Sequence, residues 1–146
     1  MEWGFNPQPK PVTKKPNRKK KKTEVYKGVA IPPRKKRAQI DKKNYERAIK
    51  EYGAYCQQCG SPYIEMHHRM FRSQSGRKGW RNLIPLCHEH HRLCHSHYDY
   101  AEKWREDARR KFGPYFFTDK YDLWKEGLIQ RPTDELFEQF MERWSK

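Results

Sequence analysis

The chain has no long apolar run. No stretch in its 146 residues approaches the roughly 18 apolar residues of a membrane-spanning helix, and the N-terminus lacks the hydrophobic core of a secretory signal. The expectation is a soluble, intracellular protein with no membrane partner. Hydrophobic residues make up 34% of the chain and mean hydropathy is −1.32, which leaves little material for a large core. Something besides apolar burial must help hold the fold together. No internal repeat of useful period is visible, which sets solenoid architectures aside. Acid is scarce relative to base: 18 Asp and Glu stand against 33 Lys and Arg, a net charge of +15. Such an excess draws a protein onto polyanions before any specific contact forms, so nucleic acid is the first partner to consider.

The positive charge is unevenly spread. Residues 1–40 hold 13 Lys and Arg against 2 Glu, together with six prolines and few aliphatic residues. The composition predicts a basic tail that is disordered when free. Its function is either that of a solvated, self-repelling arm or that of an arm tracking phosphates along a duplex. The basic runs at 18–22 and 33–37 also pass for nuclear import signals, so nuclear residence stays open.

From Asp41 the pattern turns helical. Asp41 can cap, Tyr45, Ala48, Ile49 and Tyr52 recur at helical spacing, and Gly53 can close the C-terminus. Residues 63–66 and 83–86 read as the strands of a loose hairpin with a basic loop around Gly76. A second helix is expected over residues 89–101, which place His91 and His95 one turn apart on the same side. Downstream, Thr118 can cap a short helix ended by Gly127. Pro132 and Thr133 open another, whose Leu136, Phe137, Phe140, Met141 and Trp144 form one apolar stripe read as core packing. The organisation expected is a basic tail over 1–40, a metal-stapled core over 41–100 and a helical C-terminal extension over 101–146.

All 4 cysteines and all 7 histidines fall between Cys56 and His97. In a reducing compartment this crowding reads as metal binding rather than disulfide formation. Cys56-Gln57-Gln58-Cys59-Gly60 is a C-x-x-C knuckle, and Cys87-His88-Glu89-His90 repeats the spacing with histidine as second ligand. Cys56, Cys59, Cys87 and His90 together make a Cys3His set, a usual closed zinc site, and a small core benefits from such a staple. Cys94 and then His88 are the substitutes for His90. A redox role for the first knuckle would need a βαβ context that is absent. The bland reading of Cys94 is a half-buried thiol, and of His88 and His97 an exposed ring.

His67, His68, Asn82, His91 and His95 remain once zinc is set aside. Neighbours on a strand face opposite ways, so His67 and His68 cannot easily share one ion. One ring can hold a metal while the other activates water.

Glu65-Met66-His67-His68, then Asn82-Leu83-Ile84-Pro85-Leu86-Cys87, then His90-His91 resembles the HNH endonuclease family, of the phage type. Thirteen residues separate His68 from Asn82 and eight separate Asn82 from His91, both ordinary intervals there. The resemblance covers residues 45–95. It implies an α+β, zinc-stapled ββα-metal fold with flanking helices and a metal-dependent hydrolase cutting phosphodiester bonds of double-stranded DNA.

By position, the resemblance makes His68 the general base, has His67 and His91 bind the catalytic ion, with His95 as third ligand, and has Asn82 order the loop joining strand and helix. The chain departs from the family in carrying His90 where Cys is commoner, and His67 where many members carry Asp. Imidazole at 67 suits Zn, Ni or Mn as well as Mg. Phosphate contacts are expected from Arg69, Arg72, Arg77, Lys78 and Arg81 around the hairpin, with Trp80 beside them read as core. Removing residues 1–40 is then expected to weaken DNA binding without altering the chemistry of cutting. Cytoplasmic residence in a host cell and membership of a larger phage DNA-processing complex are also implied. The alternative is a non-catalytic, zinc-stabilised nucleic-acid-binding module.

Overall fold

The computed structural model describes residues 4, 9, 11–14, 16, 17, 19, 20 and 22–145. It is a small α+β fold with two two-stranded antiparallel sheets and six α-helices among those residues. Strand β1 (Glu24–Tyr26) pairs with β2 (Val29–Ile31), and a five-residue helix α1 (Arg34–Ala38) leads into α2 (Lys42–Tyr52). The second hairpin joins β3 (Glu65–His68) to β4 (Leu83–Leu86). Helices α3 (His88–Ser96), α4 (Tyr98–Phe112), α5 (Lys120–Lys125) and α6 (Asp134–Trp144) follow. No helix among the described residues is long and apolar enough to cross a membrane.

The expected helix starting at Asp41 forms, with the Asp41 carboxylate accepting from the Asn44 N–H at 2.9 Å and Gly53 ending it at φ 87°. The first strand of the central hairpin sits two residues later than residues 63–66, leaving Tyr63 84% exposed. The register pairs His67 with Ile84 and His68 with Leu83. The helix expected over 89–101 breaks at His97, whose extended backbone separates α3 from α4. That bend returns α4 to the core, where Ala101 and Trp104 pack with Cys56, Ile84, Leu86 and Cys94; tertiary burial overrides local helix preference. The boundary expected at 100/101 therefore falls inside α4. Helix α5 is capped by Asp119 in a reciprocal box with Asp122, not by Thr118, while Thr133 caps α6 as expected.

The expectation of a disordered tail to residue 40 is corrected for residues 24–40. Lys27 and Gly28, both at positive φ (46° and 79°), make the tight turn that suits a twisted hairpin. Ile31 and Ala38 are buried, and Tyr26 meets Trp124 edge-on at 4.9 Å. Composition misled because Arg37 looks like one charge in a repelling run. In the fold its guanidinium donates to Asp119 at 2.7 and 2.6 Å and to Asp122 at 2.8 Å. Those partners stand more than 80 residues away. Part of the basic run at 18–22 lies outside the described residues.

Arg77 joins the same cluster, donating twice to Asp122 at 2.9 Å, so two guanidiniums face two carboxylates. Burial opposes ionisation of Asp122, but Arg77 and Arg37 outweigh it and hold the carboxyl below the usual range. Its stabilisation is complete above the unfolded carboxylate value, near pH 4, and is lost as pH falls through the lower folded value. Asp122→Ala leaves Arg77 without its carboxylate, and thermal melts at neutral pH should show Tm falling by about 10 °C. A variant that melts with the parent would show that the cluster contributes nothing.

The connection between β3 and β4 folds back tightly. A side chain at Gly76 would bring its Cβ to 1.8 Å from the Met70 carbonyl, so only glycine fits there.

Candidate metal centres

Helix α3 carries ligands for two separate clusters, because successive residues on a helix lie about 100° apart. His90 turns toward the cysteines and His91 toward β3. In the first cluster, Cys56, Cys59, Cys87 and His90 offer ligand atoms that all lie within 4.8 Å of one another. The Cys59 and Cys87 sulfurs are 3.8 Å apart, and His90 Nδ1 stands 3.6 Å from Cys56 Sγ and 3.1 Å from Cys87 Sγ. A regular tetrahedron drawn with ordinary zinc distances has S···S edges of about 3.8 Å and S···N edges of about 3.6 Å. The donor set therefore fits a closed zinc site.

Local structure explains the convergence. The Gln57 N–H donates to the Pro85 carbonyl at 3.1 Å, pinning the knuckle to β4, and the Gly60 N–H donates to the Cys56 carbonyl at 2.8 Å. Burial disfavours the Cys56 thiolate, yet nearby backbone N–H groups of Cys87, Cys59 and Gln58 lower its pKa to about 6. Cys94 behaves oppositely: burial pushes its thiol up to about 11, and it lies outside the cluster. His90, rather than Cys94 or His88, completes the set.

The second cluster is His67, His91 and His95. His67 leaves β3 on the face toward α3, and its ring centroid lies 5.0 Å from His91 and 5.4 Å from His95. The Nε2 atoms of His91 and His95 are 3.2 Å apart, close to the edge of about 3.4 Å between imidazole nitrogens on one ion. His67 is only 1% exposed, and neither of its ring nitrogens has a hydrogen-bond partner. Orphaned buried polar atoms are rare, and ligation of a cation would satisfy one of them. Burial first, then His91 and His95, hold the His67 pKa down to about 3, so the ring is neutral and its lone pair is free to bind.

His91 is oriented by a residue that the sequence reading left without a role. Its Nδ1 donates to a Glu65 carboxylate oxygen at 2.6 Å, and His88 Nδ1 lies 3.1 Å from the other oxygen. These two contacts, His91 first, keep the Glu65 pKa low. With Nδ1 donating, Nε2 is the nitrogen whose lone pair is left free for an ion. The signal was present: Glu65 stands two residues before His67 and so shares its strand face.

His68 lies on the opposite face of β3 and is half-buried. Its Nε2 is 2.7 Å from the Ala38 carbonyl, and burial lowers its pKa. Both histidines nevertheless border one open cleft of about 450 Å³, together with Phe71, Arg72, His91 and His95.

Asn82 is fully buried and does not line that cleft. Its Oδ1 accepts from the Met70 N–H at 2.8 Å, and its Nδ2 donates to the carbonyls of Met70 and Arg77 at 3.2 and 3.0 Å. It therefore closes the connection between β3 and β4, not the one between strand and helix.

The expected phosphate-contacting patch is corrected for three of its members. Arg69, Arg77 and Arg81 are 0%, 7% and 6% exposed. Arg69 donates to the Trp104 carbonyl and Asp107, both at 3.1 Å, and to the Tyr52 hydroxyl. Arg77 serves Asp122 and Arg81 serves Glu138, at 2.8 Å. In so small a core these guanidiniums brace the helices, and their burial keeps them from a phosphate. Lys78 pairs with Asp41 at 2.7 Å. Arg72 is exposed on the cleft. Trp80 packs edge-on against Phe112 at 5.3 Å.

Comparison with protein-family models, with curated proteins and with solved structures gives no match, so the likeness to a family rests on the residues themselves.

Proposed function

We propose that this chain is an HNH-type, metal-dependent endonuclease on a ββα-metal fold, hydrolysing phosphodiester bonds of double-stranded DNA. The observation carrying the reading is the juxtaposition, across one strand, of a three-histidine ligand cluster and a separate histidine bordering the same cleft. His67, His91 and His95 would hold a divalent ion, which supplies charge stabilisation at the scissile phosphate and leaving oxygen. His68 takes the proton from the attacking water. Arg72 brings positive charge to the cleft, Glu65 fixes the ring of His91, and Asn82 keeps the β3–β4 connection closed behind the site. Cys56, Cys59, Cys87 and His90 hold a structural zinc that anchors the start of α3. The basic segment before residue 24 adds attraction to the duplex.

An all-imidazole ligand set suits Zn, Ni or Mn better than Mg. The purified full chain should contain near one zinc, and supercoiled plasmid should be nicked faster in Mn or Ni than in Mg. Tight, salt-sensitive DNA binding with no nicking in Mg, Mn, Ni or Zn would instead identify a non-catalytic zinc module.

A further inference from the structure

We infer that α1 is a working part of the site: the Ala38 carbonyl sets the orientation and tautomer of His68, so that Nδ1 is the ring nitrogen that receives a proton. The inference rests on the nuclease reading and names a positioning group for it. A carbonyl oxygen can only accept, so the 2.7 Å contact requires the ring hydrogen on Nε2, which leaves the lone pair on Nδ1. His68 is half-buried, so water replaces a lost carbonyl partner poorly.

The segment carrying that carbonyl is fastened from several directions. Arg37, the residue before Ala38, is 8% exposed and clamped by Asp119 and Asp122. Its own carbonyl accepts from the Lys78 N–H at 3.1 Å. Arg34 donates to the carbonyls of Arg72 and Ser73 at 3.1 and 2.6 Å, and both of those residues border the His68 cleft. The Ala38 side chain is itself buried at 2% exposure. A stretch that serves only to attract DNA needs none of these fastenings. Together they immobilise one backbone oxygen against one imidazole. Loss of this strap would thus impair proton transfer, not merely DNA affinity, contrary to the expectation for residues 1–40 from composition.

Cys56 allows the full chain to be assembled by ligation of synthetic residues 1–55 to a recombinant remainder. An ester in place of the amide between residues 38 and 39 weakens the Ala38 carbonyl as acceptor and changes no side chain. It also removes the Gln39 N–H, which donates to Lys35, so an ester between residues 35 and 36, which weakens the Lys35 carbonyl as acceptor of that same bond and leaves the Ala38 carbonyl an amide, is the control. In the parent, ring 15N shifts of labelled His68 should report hydrogen on Nε2. The 38–39 ester should mix the tautomers and lower kcat for plasmid nicking about fivefold, with KM within about twofold. The control should follow the parent. Arg37→Ala, its fold checked by zinc content, should shift tautomer and kcat the same way. Hydrogen on Nδ1 in the parent, or parental kcat in the 38–39 ester, would overturn the inference. A parent that cuts in no ion would overturn the nuclease reading, while the 15N shifts still decide whether the strap sets His68.

Discussion

His68→Ala should lower plasmid nicking by about a thousandfold while zinc content stays near one per chain, a loss typical of removing a general base. The two effects separate because His68 touches neither ligand cluster. It faces α1 and the open cleft, on the side of β3 away from His67, His91 and His95. Its contribution to the fold is one hydrogen bond to Ala38, worth about 1 kcal/mol, so Tm should fall by only a few degrees. His67→Ala makes the complementary test. It removes a ligand from the ion cluster, so binding of Mn, followed by its paramagnetic signal, should be lost. In His68→Ala the same binding should persist. Nicking by His68→Ala at the parental rate would remove the base assignment, and loss of zinc in that variant would show a structural role instead.

Cys87→Ser should have a larger effect on folding than any change in the cleft. Cys87 precedes α3 directly and sits 28 residues from Cys59 across the site, so an ion there joins the knuckle, β4 and α3 in one tie. Cys56, another ligand, is itself a core residue packed with Ile84, Leu86, Ala101 and Trp104. A structural zinc contributes about 10 kcal/mol or more, against a total stability of about 5–15 kcal/mol for an ordinary domain. Without it the cooperative melt should vanish and bound zinc should drop toward zero. Prolonged chelation of the parent should reproduce both changes. Cys94→Ser offers the contrast, since that thiol is protonated, buried and outside the cluster; it should keep its zinc and lose only packing. A Cys87→Ser protein that holds no zinc and still melts with the parent would show that the fold does not depend on the site.

Ligand chemistry was legible in the sequence because it is written in residue type and short spacing. The four zinc-type ligands follow from two repeats of one interval, and His91 with His95 follows from a single helical turn. Caps at Asp41 and Thr133 were legible for the same reason: each acts within three residues. What escaped depends on partners distant in the chain. Arg69, Arg77 and Arg81 look like surface charges until Asp107, Asp122 and Glu138 are brought beside them by α4, α5 and α6. Residues 24–40 look unfoldable until Asp119 and Asp122 neutralise Arg37. The Ala38 oxygen, a backbone atom, leaves no trace in a side-chain pattern. The break at His97 was likewise hidden, because it is set by what Trp104 must reach rather than by any helix-breaking residue.

The fastening of α1 has a temporal side. As the polypeptide emerges from the ribosome, His67, His68, His91 and His95 are all present before Asp119 and Asp122 have been added. Until those two carboxylates arrive, Arg37 has no anchor and the carbonyl facing His68 is unsecured. A nascent chain therefore acquires its candidate ligands before the contacts that secure the Ala38 carbonyl, and a truncated product ending before α5 carries the former without the latter.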